Sequence, residues 1–187
     1  MNVVFRVDCN AKIGTGNFHR CIAIAYKLSK KYNIFFVMNE SSSLIIKHKK
    51  NFKFIFLKQK IINQKDDANN LLKHFLNIEI NFIFLDQYKL GSAWKSIIVK
   101  KCKFLTSFND MLTEDKISKY QICYNLKAKP MAGYKKLFGP QYFITNKTKK
   151  IALKKSFDIL FYNGGSGDFI IFKKIVRILL NCNFKIR

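Results

Sequence analysis

The chain has 187 residues, of which 49% are hydrophobic and 19 are Phe. This is enough apolar material for the core of one good-sized domain and part of another. No run approaches the ~18 to 20 apolar residues of a membrane-spanning helix, and the first apolar run carries charges that a signal peptide lacks. We therefore expect a cytoplasmic protein with no membrane partner.

The charge is strongly positive, with 35 Lys and Arg against 11 Asp and Glu, a formal net charge of +24. Such a charge by itself favours nucleic acid or an anionic surface as a partner. However, nearly all of the basic residues are Lys, and they are spread along the whole chain. Specific nucleic-acid sites prefer Arg, whose planar fork reads bases and phosphates. We therefore expect solvated lysines and no specific nucleic-acid partner.

The cysteines stand singly, without the paired CxxC spacing of zinc sites or redox motifs. Their odd number and scattered positions predict reduced thiols, with no disulfide framework and no metal. Nothing else in the sequence points to a cofactor. The five positions are Cys9, Cys21, Cys102, Cys123 and Cys182.

Apolar strand patterns alternate with helical patterns over the first 125 residues. Strands are predicted at 2–7, 33–38, 52–57, 80–86, 102–108 and 120–125. Helices are predicted at 17–31, after the serines at 41–43, from Asp66–Asp67 onward, and at 92–101. This alternation is typical of a parallel sheet covered by helices on both faces, the α/β class.

The periodicity fades over 126–155, which contains both prolines, and we interpret this stretch as a crossover and linker. A strand, a glycine turn and an amphipathic helix then follow. We expect residues 1–150 to form a Rossmann-like domain and 151–187 to be the first β–α unit of a second, truncated one. An incomplete second domain would expose an apolar helix face, which predicts poor solubility or a need for a partner chain to complete it.

Two glycine turns, GTGN at 14–17 and GGSGD at 164–168, each join a strand pattern to a helix pattern. Glycine permits a tight turn there and leaves the N–H groups of the helix start free to bind a phosphate. Ordinary turn chemistry accounts for one such junction. Two of them favour a ligand held in a cleft between two domains.

Dinucleotide binding is a weaker interpretation. Glu40 ends the second strand, where a ribose-binding acid belongs, but His19 stands where the GxGxxG fingerprint requires its third glycine. No GK[ST] follows either turn, so a Walker A loop is absent. The other histidines, His48 and His74, lie in lysine-rich contexts and are predicted to be at the surface.

Several motifs occur in a fixed order along the chain: FRVD (5–8), KIGTGNFHRCIAIA (12–25), LDQYKLGSAW (85–94), SFND (107–110), YQICYN (120–125), LFGPQY (137–142) and YNGGSGD (162–168). Together they resemble the UDP-sugar hydrolases of pseudaminic acid biosynthesis, from the first strand to the last residue. Relatives of that family share the two-domain GT-B fold with the murein glycosyltransferase. The resemblance implies a GT-B-like protein that cleaves UDP from UDP-2,4-diacetamido-2,4,6-trideoxy-β-L-altropyranose.

The family pattern, roughly R-x-D-x(4)-I-G-x-G-H-x-x-R-C, is matched at Arg6, Asp8, Ile13, Gly14, Gly16, Arg20 and Cys21. The family's general base is the His after the second Gly, and Asn17 stands there. An amide cannot take a proton from water at neutral pH. His19 is a weak substitute, because two residues along a helix rotate a side chain by about 200°. The resemblance thus predicts a catalytic position at Asn17, oriented by Asp8, with doubtful activity.

The resemblance also implies the binding residues. The family commonly has Asp-His-Tyr at the end of the fourth strand, and this chain has Asp86, Gln87 and Tyr88. Sugar contacts are expected from Gly14, Gly16, Arg20, Asp86, Tyr88 and Asn125, and phosphate contacts from Gly164, Gly165 and Ser166. Asp86 and Tyr88 serve equally well as a turn cap and a packing residue, and Asn109 and Asp110 are weaker candidates. A GT-B glycosyltransferase and a non-catalytic remnant remain alternatives.

Overall fold

The computed structural model describes residues 1–10, 13–59, 63–125, 135–144 and 169–182. The strands in these ranges are β1 Asn2–Val7, β2 Asn33–Met38, β3 Lys53–Phe56, β4 Ile80–Asp86, β5 Cys102–Phe108, β6 Tyr120–Cys123 and β7 Lys135–Phe138. The α-helices are α1 Gly16–Leu28, α2 Gln64–Lys73, α3 Ser92–Ile98 and α4 Phe169–Asn181, with short 3₁₀ helices at Ser43–His48 and Pro140–Tyr142.

The strands form one parallel sheet in the order β3-β2-β1-β4-β5-β6-β7. The chain builds outward from β1 to β3, crosses back through α2, and continues outward from β4 on the other side. The order therefore reverses between β1 and β4. In open α/β sheets, ligands bind in the crevice outside the carboxyl ends of the strands at such a point.

Side chains alternate between the two faces of the sheet because successive residues of a strand point in opposite directions. In β1, Val3, Phe5 and Val7 belong to the core shared with α1, whereas Val4 belongs to the core shared with α2 and α3. The ring of Phe5 stacks on Phe36 of β2, with ring centroids 5.0 Å apart. Both faces are thus apolar, as expected for a parallel sheet between helix layers.

A buried polar network joins the second helix layer to the sheet. Arg6 of β1 is fully buried and binds both carboxylate oxygens of Asp67 on α2. The other partner of Asp67 is the indole N–H of Trp94 on α3, at 2.8 Å. The network attaches α2 and α3 to β1. Because each charge is paired and hydrogen-bonded, these interactions offset the free energy of removing the charges from water.

The predicted elements agree closely with the observed ones up to β6. The first six strands and the three helices lie within a few residues of their predicted positions. The serines at 41–43 cap a short helix as expected, with the Ser42 hydroxyl accepting from the Leu44 N–H. All five cysteines are free.

The interpretation of 126–155 as a linker is wrong over Lys135–Phe138, which forms β7 parallel to β6. The Gly139 N–H continues the pairing to the Cys123 carbonyl oxygen at 2.8 Å. The segment KKLF has neither alternation nor a long apolar run. Its strand is set by hydrogen bonds to a neighbour, which the sequence pattern does not carry.

The prediction for His48 is also wrong, since the side chain is only 6% exposed. Its Nδ1 lies 2.9 Å from the Tyr26 hydroxyl, and its ring packs near Phe18 and Phe52. Burial and the nearby Lys47 lower the pKa of this imidazole. The neighbouring lysines are exposed, Lys47 in the short helix and Lys49 and Lys50 just after it, whereas Ile45 and His48 face the core. His74 is exposed, as predicted.

The second glycine turn, with Gly164, Gly165 and Ser166, lies outside the described residues. Of the predicted second unit, 151–187, the described part is α4 and the residue after it. Ile171 and Ile178 on α4 are 54% and 63% exposed. Among the helices in the described ranges, none has the length and apolarity to cross a membrane.

Candidate functional site

The first glycine turn follows β1 and leads into α1. Asn10 organises it, because its side-chain oxygen accepts from the Ile13 N–H at 2.8 Å and its carbonyl from the Gly14 N–H at 2.9 Å. Gly14 has φ of 89°, a conformation that strains any L-residue. A Cβ added to Gly16 would meet nothing within 4 Å. The turn therefore requires Gly14, whereas open space lies beside Gly16 at the start of the helix.

Arg20, on the second turn of α1, connects the helix to three strand ends. Its Nε and Nη2 bind the two oxygens of Asp86, at the end of β4. Its Nη1 donates to Asp110 at 2.7 Å and to the Tyr124 hydroxyl at 2.6 Å, just after β5 and β6. The guanidinium also lies 4.3 Å from the ring centre of Phe108.

The Asp86 and Asp110 carboxylates keep the Arg20 guanidinium in its charged form. Burial disfavours the guanidinium charge, but the Asp86 and Asp110 carboxylates outweigh burial and raise the pKa of Arg20. Burial raises the pKa of Asp86, and the hydrogen bonds from Arg20 oppose that rise. Arg20 is 5% exposed. Arg20 lies beside the other residues predicted from sequence, and its hydrogen bonds hold the Asp86 and Asp110 carboxylates in place.

Tyr88 links the glycine turn to this ionic cluster. Its hydroxyl donates to Asp110 Oδ2 at 2.9 Å and lies 3.4 Å from Asn17 Oδ1. Burial and the Asp110 carboxylate raise the pKa of the phenol. Tyr88 is 57% exposed. The catalytic position predicted from sequence, Asn17, therefore stands one side chain away from a carboxylate.

A cavity of about 300 Å³ opens beside this cluster, between the residues that follow β4 and β5. Tyr88 and Asp110 line it, and Phe108, Lys95 and Glu114 complete much of its wall. This volume is at the lower end of the range of small-molecule sites. The wall combines an apolar ring with hydroxyl, ammonium and carboxylate groups, a mixture that binds a polar ligand with apolar faces.

Asp8 lies on the α2 and α3 side of the crevice. Its Oδ1 accepts from Arg6 Nη1 at 2.8 Å and from the Asn39 N–H at 2.6 Å. Its Oδ2 accepts from Gln87 Nε2 at 2.5 Å. Asp8 is 5% exposed, with both oxygens engaged. Asp8 therefore connects the carboxyl ends of β1, β2 and β4 through hydrogen bonds.

The remaining predicted residues lie around the same edge of the sheet. His19 is exposed on the first turn of α1, with its ring near Phe18. Asn125 is exposed two residues after β6. In the described part of the chain, no three His, Cys, Asp or Glu side chains are grouped closely enough to hold a metal ion.

The structure adds Tyr124, Gln87 and Asn39 to the residues chosen from sequence, and it gives Asp110 a central place. Tyr124, Gln87 and Asn39 directly follow a strand, and Asp110 is the second residue after one. The carboxyl ends of parallel strands meet at one edge, so this position was a usable signal. A position after a strand does not show which strand ends become neighbours, because the local sequence pattern does not determine strand order.

Comparisons with known proteins concern the fold. No protein-family model matches the sequence, and no curated protein matches it. Among solved structures, MurG from Acinetobacter baumannii is similar, with a TM-score of 0.57 and 7% sequence identity. The match covers 80% of this chain and 47% of the MurG chain, so the chain spans about half of that protein's length. Together with the parallel sheet, this likeness identifies an α/β fold of the GT-B type.

Proposed function

We propose that this chain is a homologue of UDP-sugar hydrolases. The reaction is attack of water on the anomeric carbon of a UDP-diacetamido-trideoxyhexose, with release of UDP, in the synthesis of pseudaminic acid or a related nonulosonate. One observation carries the proposal. Asn17, Tyr88 and Asp110 converge at the start of α1, beside a cavity between the residues that follow β4 and β5 at the carboxyl edge of the sheet.

The glycine turn supports a ligand with a sugar–phosphate junction. The first N–H groups of α1 have no partners within the helix, and open space lies beside Gly16. The helix dipole favours negative charge at the same place. A phosphate bound there would bring the sugar toward Asn17 and Tyr88. Gly164, Gly165 and Ser166 are proposed to contact the phosphates from the second unit.

The test is the release of UDP from UDP-2,4-diacetamido-2,4,6-trideoxy-β-L-altropyranose by the parent chain and by Asn17→His. An imidazole can take a proton from the attacking water, and general-base catalysis contributes about 10²–10⁴-fold. We expect binding of the UDP-sugar by both proteins and a clearly faster release of UDP by Asn17→His. If the variant binds substrate without any gain in rate, position 17 does not face the anomeric carbon.

A second candidate is a GT-B glycosyltransferase, favoured by the likeness to MurG. A transferase and a hydrolase differ in the acceptor of the sugar, which is another molecule in the first and water in the second. Product analysis separates them. Free sugar and UDP in equal amounts support the hydrolase, whereas UDP formed only when an acceptor is added supports the transferase.

A further inference from the structure

We propose that Asp110 is the general base of this site, the group that takes the proton from the attacking water. This inference rests on the proposed function, because it assumes hydrolysis at an anomeric carbon. It adds to that function the base that works in the parent chain, where Asn17 cannot accept a proton, and the faster release expected of Asn17→His then reflects the higher basicity of an imidazole.

Among the described residues, four carboxylates lie at the crevice: Glu114 is largely exposed and pairs with Lys116, and of the other three only Asp110 has an oxygen without a partner. Asp8 and Asp86 use both oxygens for bonds to neighbouring side chains and backbone. Asp110 binds Arg20 and Tyr88 through Oδ2 alone. Its Oδ1 is buried and has no hydrogen-bond partner in the described ranges. An unsatisfied buried acceptor is rare and costly, and it indicates a missing donor.

The position of Asp110 fits a base that works on a bound ligand. The residue lines the 300 Å³ cavity, and its side chain is 23% exposed. The terminal torsion of Asp is soft, so Oδ1 reaches the cavity by rotation about that bond. Arg20 and Tyr88 bind the other oxygen and keep the carboxylate at this edge of the sheet.

The chemistry needs one carboxylate at this place. Asp110 Oδ1 accepts a proton from water while the water oxygen forms a bond to the anomeric carbon. The bond between that carbon and the diphosphate oxygen breaks, and its electron pair leaves with UDP. The diphosphate is a stable anion, so no acid must protonate it. The Asp110 proton then passes to solvent. A carboxylate base acting on water is the device of inverting glycosidases.

The experiment compares Asp110→Asn and Asp110→Ala with the parent chain, using the same UDP-sugar as substrate. We expect Asp110→Asn to lower kcat by about 10²–10⁴-fold with KM changed by less than about threefold. Formate, a small carboxylate, should restore part of the rate of Asp110→Ala and leave the parent unaffected. Glu79→Gln, which removes the same charge from an exposed pair with Lys103 before β4, should match the parent.

The formate experiment distinguishes loss of a base from loss of stability through the bond to Arg20. A soluble carboxylate replaces a missing base, but it does not repair a structural loss. A kcat of folded Asp110→Asn within threefold of the parent overturns the base, as does a folded Asp110→Ala that formate does not accelerate. A parent that binds the UDP-sugar and releases no UDP also overturns it. Failure of the parent to bind any UDP-sugar is a different result, which removes the proposed function itself.

Discussion

At the scale of single residues, the two glycines of the first turn have different physical roles. Gly14 has positive φ and is required by the backbone, whereas Gly16 is helical in a space that a methyl group would not fill completely. A glycine that packing does not require, at the start of a helix, is consistent with close approach of a ligand to the backbone.

This difference predicts opposite effects of the two alanine substitutions. Gly16→Ala should keep or raise stability, by up to about 1 kcal/mol, because Ala is the better helix former. It should also weaken binding of the UDP-sugar by tenfold or more. Gly14→Ala should destabilise the fold by about 1–3 kcal/mol through backbone strain. Thermal unfolding and calorimetry measure the two effects, and unchanged affinity in Gly16→Ala would exclude phosphate contact at this turn.

At the scale of elements, buried charge pairs decide how helices and loops attach to the sheet. Arg20 fastens α1 to the ends of β4, β5 and β6. Asp115 fastens the loop between β5 and β6, because it accepts from Lys95 at 2.6 Å and from the Ser118 N–H at 3.0 Å. The cavity wall depends on both attachments.

Arg20→Ala should lower the free energy of unfolding by about 3–5 kcal/mol, because it leaves the Asp86 carboxylate buried and unpaired. Lys27→Ala, at an exposed position in the last turn of the same helix, is the matched control and should change stability by less than about 0.5 kcal/mol. Denaturant unfolding at pH 7 measures both. A loss below about 1 kcal/mol in Arg20→Ala would mean that water reaches Asp86.

Asp115 predicts a pH dependence of stability. Burial would raise the pKa of Asp115, but the hydrogen bonds from Lys95, the Ser118 N–H and Ser107 hold it well below its usual range. A depressed carboxylate pKa stabilises the fold above the unfolded value of about 3.9, and this contribution disappears as the pH falls through the folded value. Stability should therefore decrease as the pH falls below about 4.

Asp115→Asn is the variant that tests this origin. It should lower stability by about 1–3 kcal/mol at pH 7, since an amide satisfies the four donors to this side chain poorly. The difference from the parent should shrink toward pH 3, because the Asn side chain does not titrate. Urea unfolding at the two pH values measures it. A difference that stays constant between them would assign the acid loss to other carboxylates.

At the scale of the whole molecule, the charge of +24 is the property most open to misinterpretation. Scattered lysines attract any polyanion, without a built recognition surface. Binding to a DNA duplex should therefore be weak, without sequence preference, and reduced by at least about 10²-fold between 50 and 200 mM salt. Fluorescence anisotropy with two unrelated duplexes measures it. Tight binding at 200 mM salt, or a clear preference for one duplex, would contradict this expectation.

The sequence by itself determined the alternating elements, the two helix layers and the residues that follow each strand. Apolar runs such as NVVFRV and INFIFLD carry those signals locally, since burial on both faces of a parallel sheet demands continuous apolar residues. The same local reasoning missed β7, whose short segment becomes a strand only because β6 offers it hydrogen bonds.

Only the tertiary structure decided how the site is put together. The sequence named Asp86, Tyr88 and Asn17 as separate candidates and ranked Asp110 below them. Strand order then placed β5 beside β4, and the Asp110 carboxylate came within 2.9 Å of the Tyr88 hydroxyl. Contacts between residues that are 22 or 66 positions apart follow from which strands pair. Pairing is a property of the folded sheet. Local sequence patterns therefore predict which residues belong to the site, but they do not predict its geometry.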